Sequence, residues 1–180
     1  ALHQHRKLDP VTFAAWMRIL RSVDDSVLWL GSCPDAVSRR LVEEAERYRI
    51  GPSRLVFAPH FSDRSEHFRR LPLADVALDA FWYNAHTTAT EMLWMGVPLV
   101  TCMGTNVYAR LAGSLLTFLG KEELVTHDAD EYVSTAVTLA LDSTKRQSIR
   151  DELATLRSHP AYSISTVSYT HLTLPTNLCV

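Results

Sequence analysis

Cysteine is scarce in this chain: Cys33, Cys102 and Cys179 are the only three among 180 residues. They stand far apart and form no CxxC pair, so the sequence offers neither a disulfide framework nor a zinc site. Incidental thiols in a reducing cytoplasm are the plain reading. A dominant charge sign is missing too. The formal net charge is -2, which leaves a general nucleic-acid or membrane-surface role without electrostatic support. No apolar run is long enough to cross a bilayer, and no signal peptide opens the chain. There is no P-loop, no GxGxxG and no serine-hydrolase elbow. The eight His are scattered without metal-ligand spacing, and no carboxylate pair stands out as an acid–base couple. Repeats and low-complexity segments are also absent.

The composition that is there suits one globular domain with a sizeable core: 47% apolar and 21% charged residues. The two ends read differently. The chain does not begin with Met. From Val167 the text runs V-S-Y-T-H-L-T-L-P-T-N-L-C-V, which resembles the translated read-through of a sequencing-library adapter. Residues 1–166 are therefore expected to be an internal piece of a longer protein, and 167–180 a non-native tail.

Between these ends, short apolar runs alternate with amphipathic stretches. Asp9-Pro10 is a helix start, with Asp as cap and Pro at the first helical position. Phe13, Trp16, Met17, Ile19 and Leu20 follow at helical spacing. Ser26–Leu30, Arg54–Ala58, Asp75–Asp79 and Val97–Cys102 read as buried parallel strands, with a short last strand at Glu123–Thr126. Helices are expected over Asp35–Arg49 (with Glu43 and Arg47 as charge partners), Ser62–Arg70, Thr87–Met95, Val107–Leu119, Asp130–Leu141 and Ser143–Arg157. Gly96 and Gly120 close two of them. Such alternation predicts an α/β fold, a Rossmann-like parallel sheet with helices on both faces. Ligands bind such sheets outside the carboxyl ends of the strands.

One strand-end stretch carries unusual polarity. In Y-N-A-H-T-T-A-T-E-M-L-W-M-G-V-P-L-V, residues 83–100, a His and two Thr separate an apolar strand from an apolar helix. A helix start exposes unpaired N–H groups and partial positive charge, and Thr hydroxyls add donors. His86, Thr87 and Thr88 thus form a candidate phosphate site. The plain alternative is a Thr cap with a second Thr in the first turn. Glu91, one turn further on the same face, could accept hydrogen bonds from a ribose. Lys7 is a candidate point charge for a diphosphate, or a solvated edge residue. Gln4 could read a base edge or phosphate. His67 and Arg70 share a helix face, either functional or simply solvated.

K-L-D-P, S-V-L-W-L, E-H-F-R-R, L-A-D-V-A-L-D, N-A-H-T-T-A-T-E-M-L-W-M-G-V-P-L-V-T and A-R-L-A-G-S-L-L occur here in that order. Together they resemble the catalytic region of the protein O-linked N-acetylglucosamine transferases, glycosyltransferase family 41, over nearly all of residues 4–160. The resemblance implies the C-terminal, nucleotide-sugar-binding lobe of a GT-B enzyme. It implies transfer of N-acetylglucosamine from UDP-GlcNAc to Ser or Thr hydroxyls of acceptor proteins, with inversion and without a metal or other cofactor. UDP-glucose or GDP-fucose as donor, a GT-B epimerase and a non-catalytic nucleotide-binding module are the rival readings. Lys7 matches the family's catalytic lysine on the donor diphosphate, and Gln4 a second donor contact. His67 and Arg70 match residues beside the nucleoside, and His86-Thr87-Thr88 the phosphate segment. Glu91 stands where animal enzymes carry Asp. A family lysine between Pro59 and His67 has no clear match here, Arg64 being a candidate substitute. The other lobe and any tetratricopeptide repeats would lie upstream. No nucleic acid or membrane partner is implied, and the expected location is cytoplasmic.

Overall fold

A computed structural model describes Leu2 and residues 4–159. The suspected tail, 167–180, lies outside the described residues, as does Cys179. Helix α1 (Pro10–Ser22) begins where Asp9 accepts hydrogen bonds from the N–H groups of Val11 and Thr12. Strand β1 (Leu28–Leu30) leads into α2 (Asp35–Arg47) and then β2 (Leu55–Phe57). Helix α3 (Arg64–Arg70) is capped by Asp63, so it starts two residues later than Ser62. Then follow β3 (Ala77–Leu78), α4 (Thr87–Trp94), β4 (Leu99–Cys102), α5 (Leu111–Phe118) and β5 (Val125–Thr126). Helices α6 (Ala129–Leu141) and α7 (Ser143–Thr155) close the domain, capped by Asp128 and Asp142. Gly96 and Gly120 adopt φ of 77° and 66°, the left-handed conformation that ends a helix cheaply only at glycine. Arg47 pairs with Glu44 at 2.9 Å, not with Glu43 as expected: the i,i+3 geometry wins on this exposed surface.

All pairings are parallel. β1 runs beside β2 in the register Leu28↔Leu55, and β3, β4 and β5 form a second group with Leu78↔Val100 and Thr101↔Val125 in register. Parallel neighbours need helical crossovers, which α4 and α5 supply on either side of β4. All four β4 residues are buried, as expected for a strand covered on both faces. Helices α4, α5 and α6 all pack on it, and α1 packs on α6. Trp16, Met17, Leu93, Val100 and Tyr132 sit at the centre with at most 1% of their surface exposed. Among the described residues the two groups are assigned as separate sheets, where one sheet was expected. Among the described residues no helix is long and apolar enough to cross a membrane.

Candidate functional site

The loop from Asp79 to His86 leaves the carboxyl end of β3 and turns into α4. Its shape is set by a buried carboxyl group. Asp79 has no exposed surface. Its Oδ1 accepts from the N–H groups of Ala80 (2.9 Å) and Ala85 (2.7 Å), and its Oδ2 from the Thr101 hydroxyl (2.6 Å). Its carbonyl accepts from the Tyr132 hydroxyl at 2.8 Å, which in turn accepts from Trp16 Nε1 at 3.0 Å. The Asn84 amide donates to the Ala80 carbonyl at 2.7 Å, and Thr12 Oγ1 accepts from the Phe81 N–H at 3.0 Å. Burial pushes the Asp79 carboxyl up to about 7, against the hydrogen bonds from Thr101, Ala85 and Ala80 and the charge of Lys7.

This frame presents the start of α4. The N-cap is His86, and its side chain makes no capping hydrogen bond. The alternative of a self-capped Thr start is therefore not what the fold builds: Thr87 and Thr88 are the first two helical residues. The first N–H groups of α4 receive no side-chain cap from His86 and are available to an anion. The His86 ring stacks on Tyr83 with centroids 5.1 Å apart, and Tyr83 stacks on Tyr108 at 5.0 Å. His86 Nε2 is buried and has no hydrogen-bond partner among the described residues. Burial, and then Lys7, lower the basicity of this imidazole.

Lys7 comes from the short 3-10 turn His5–Lys7 ahead of α1. Its Nζ donates to the Asn84 carbonyl at 3.4 Å and lies 4.0 Å from the Tyr83 ring centroid. Partial burial lowers its basicity, opposed by Asp79. The solvated-edge alternative for Lys7 thus gives way to a half-buried cation held on the loop that carries His86-Thr87-Thr88.

A second group faces the same helix. Arg70 donates to the Pro59 carbonyl at 2.7 Å and to His67 Nδ1 at 3.0 Å. An imidazole nitrogen that accepts from a guanidinium cannot also carry the proton, so His67 Nε2 donates to Glu91 Oε2 at 3.3 Å. Arg64 approaches Glu91 Oε1 at 3.7 Å. The Arg70 guanidinium lies 4.8 Å from the Phe61 ring, and burial lowers its basicity. An open cleft of about 860 Å³ joins these elements, with Arg64, Phe68, His86, Thr87, Glu91 and Trp94 among its walls. Its size suits a nucleotide-sized ligand.

Of the residues expected from sequence, His86, Thr87 and Glu91 line this cleft; His67 reaches it through Glu91 and Arg70 through His67, while Thr88, in the first turn of α4, does not line it. Lys7 meets the same loop from Asn84 and Tyr83 without lining the cleft. Gln4 is exposed and stands beside Leu30, Gly31 and Cys33 at the end of β1. Sequence reasoning missed Asp79, Tyr83, Asn84 and Tyr108. Asp79, at the end of its strand, could have been found by asking what satisfies the loop that follows; Tyr108 has no local signal. Among the described residues, no three His, Cys, Asp or Glu side chains are grouped as a metal site would need.

Parallel strands and helical crossovers define a Rossmann-like α/β domain, with an uncapped helix start at the carboxyl end of a strand. Residues 1–172 match the family described as Glycosyl transferase family 41. The chain belongs to that family. It is 38% identical over 156 residues to a UDP-N-acetylglucosamine--peptide N-acetylglucosaminyltransferase of Caenorhabditis elegans, covering 87% of this chain and 13% of the relative. It is 37% identical over 156 residues to a probable enzyme of the same description, SEC, from Arabidopsis thaliana, covering 86% and 16% respectively. Its fold superposes on a mutant of the Thermobaculum terrenum O-GlcNAc transferase with a TM-score of 0.87 and 28% identity, over 94% of this chain and 33% of that one. The chain thus spans less than a fifth of the curated relatives it matches, and has the α/β architecture expected of a GT-B lobe.

Proposed function

We propose that this chain is the donor-binding lobe of a glycosyltransferase that moves N-acetylglucosamine from UDP-GlcNAc to Ser or Thr hydroxyls of proteins. The carrying observation is the uncapped start of α4, with Thr87 and Thr88 in its first turn and Lys7 fixed on the loop that leads to it. On this reading the diphosphate rests on the α4 N–H groups and the two Thr hydroxyls. The acceptor oxygen bonds to the anomeric carbon as the bond to the phosphate oxygen breaks. Attack from the opposite face inverts that carbon. The hydroxyl proton passes to a base in the other lobe, and the electron pair leaves with UDP. Lys7 and the helix start stabilise the charge that develops there, the task a metal performs in other transferases. Glu91, aligned by His67 and Arg70, faces the nucleoside side of the cleft. Without the acceptor-binding lobe, this chain binds nucleotide and transfers nothing.

Calorimetry with UDP and GDP tests the reading, with circular dichroism as the folding control. UDP is expected to bind in preference to GDP. The double substitution Thr87→Ala/Thr88→Ala is expected to weaken UDP roughly 100-fold or more, the loss of two charge-assisted hydrogen bonds. A folded double variant with undiminished UDP affinity refutes the site, and preference for GDP redirects the donor assignment to a fucose nucleotide.

A further inference from the structure

Lys7 is one of three Lys in the chain, with Lys121 and Lys145. Two of these ammonium groups are held in contrasting ways. Lys121 donates to Glu152 and, at 3.4 Å, to Glu123, and both carboxylates offset its charge. Among the described residues Lys7 forms no such ion pair. Its polar contact is the Asn84 carbonyl at 3.4 Å, longer than an ordinary N–H···O bond. Its other support is the face of the Tyr83 ring, with Nζ 4.0 Å from the centroid. Asp79 attracts Lys7, but burial keeps that carboxyl protonated up to about 7, so it offsets the charge only in part.

The Tyr83 ring is itself fixed from two sides. Its plane lies 16° from that of His86 and 11° from that of Tyr108. Tyr108 belongs to the 3-10 turn Val107–Ala109, capped by Asn106, whose side chain accepts from the Ala109 N–H at 2.9 Å. The Asn84 N–H donates to the Tyr108 carbonyl at 3.0 Å, and the Gly104 N–H to the Ala109 carbonyl at 2.8 Å. A Cβ on Gly104 would meet that of Ala109 at 2.6 Å, so glycine permits this close approach. Two loops, one after β3 and one after β4, thus place one ring beneath one cation.

We propose that Tyr83 is the positioning residue for Lys7: its ring face holds the ammonium beside the start of α4 and leaves the positive charge available to an anionic ligand. A carboxylate in that place would hold Lys7 but cancel its charge and repel phosphate. An aromatic face attracts a cation through its quadrupole and carries no net charge. Lys is a compact charge on a flexible four-carbon stem, and a stem fixed before binding has less freedom to lose. Tyr83 acts through Lys7 and not on the phosphates. That the ligand is a nucleoside diphosphate rests on the donor-lobe reading above; that Tyr83 holds Lys7 does not.

The test uses this chain as it stands. NMR of the nucleotide-free protein reads the Lys7 side chain, and three Lys leave few signals to assign. The ring current of Tyr83 is expected to shift the Lys7 Cε protons upfield; Tyr83→Phe keeps that shift and Tyr83→Leu removes it. Calorimetry then reads UDP, which carries the charge that a departing nucleotide develops. Tyr83→Phe is expected to bind UDP within about twofold of wild type, and Tyr83→Leu roughly 10-fold more weakly. On a Lys7→Ala background, Tyr83→Leu is expected to lose less than about twofold more, because the ring has no cation left to hold. Equal losses on both backgrounds overturn the proposal, since Tyr83 then only supports the loop. Undiminished UDP affinity in a folded Tyr83→Leu variant also overturns it. Circular dichroism checks folding. Where Leu disturbs the fold, a ring-fluorinated phenylalanine at position 83 keeps the shape and drains the negative face; it is expected to weaken UDP relative to Tyr83→Phe, and equal affinity overturns the proposal. A Lys7 shift lost in Tyr83→Leu, with no UDP binding by any version, leaves Tyr83 as the support of Lys7 and overturns the donor reading instead.

Discussion

Replacing Asp79 by Asn removes one titrating group from the buried frame of the site while keeping its shape. The Asp79 carboxyl is raised from its ordinary 3.8 to about 7, with burial as the leading cause. Between those values the folded protein keeps a proton that the unfolded chain has released. This group's contribution to stability is therefore level below about pH 4, falls as pH rises, and is level again above about 7. The interval corresponds to about 4 kcal/mol. Asn cannot ionise, so subtracting the variant's profile cancels the other titrating groups. Urea unfolding from pH 4 to 8, analysed at constant m, measures the difference. The wild type is expected to lose about 4 kcal/mol relative to Asp79→Asn across that range, or roughly 8–16 °C in Tm. A difference profile that stays flat, or in which the wild type gains on the variant as pH rises, refutes the claim that desolvation outweighs the hydrogen bonds and Lys7.

Three further outcomes are expected. Arg70→Ala removes the donors to His67 Nδ1 and the Pro59 carbonyl and so releases the His67 tautomer; UDP affinity should fall roughly 10-fold while pyrophosphate affinity holds, and an equal loss for both in calorimetry refutes a nucleoside-side role. In the full-length enzyme, Lys7→Ala should lower kcat roughly 100-fold or more with little change in KM, and Lys7→Arg should not restore it beside the Tyr83 ring; a pure KM effect in steady-state kinetics contradicts transition-state stabilisation. Gly96→Ala should cost about 1 kcal/mol, or 2–4 °C in Tm, because its φ of 77° and not crowding is the constraint (the nearest atom to an added Cβ is 3.7 Å away); Gly96→Asn should cost less, and a neutral Ala variant refutes the strain argument.

Local features of this protein were legible in the sequence because they depend on residues a few positions apart. Asp9 ahead of Pro10 caps α1, Gly96 and Gly120 end their helices, and every expected strand exists, trimmed at its ends. The place of His86-Thr87-Thr88 at a strand-to-helix turn followed from the same periodicity. Other features required distant parts of the chain to meet. Lys7 contacts Asn84 across 77 positions, and Trp16 reaches Tyr132 across 116. The tautomer of His67 depends on Arg70 and Glu91 together, and the elevated Asp79 carboxyl on complete burial. No spacing rule carries such information, because desolvation and Coulomb interaction depend on surroundings in space and not on order along the chain. The sequence therefore determined the elements and which loop bears the polar residues; the tertiary structure decided which of those residues stand together and in what protonation state.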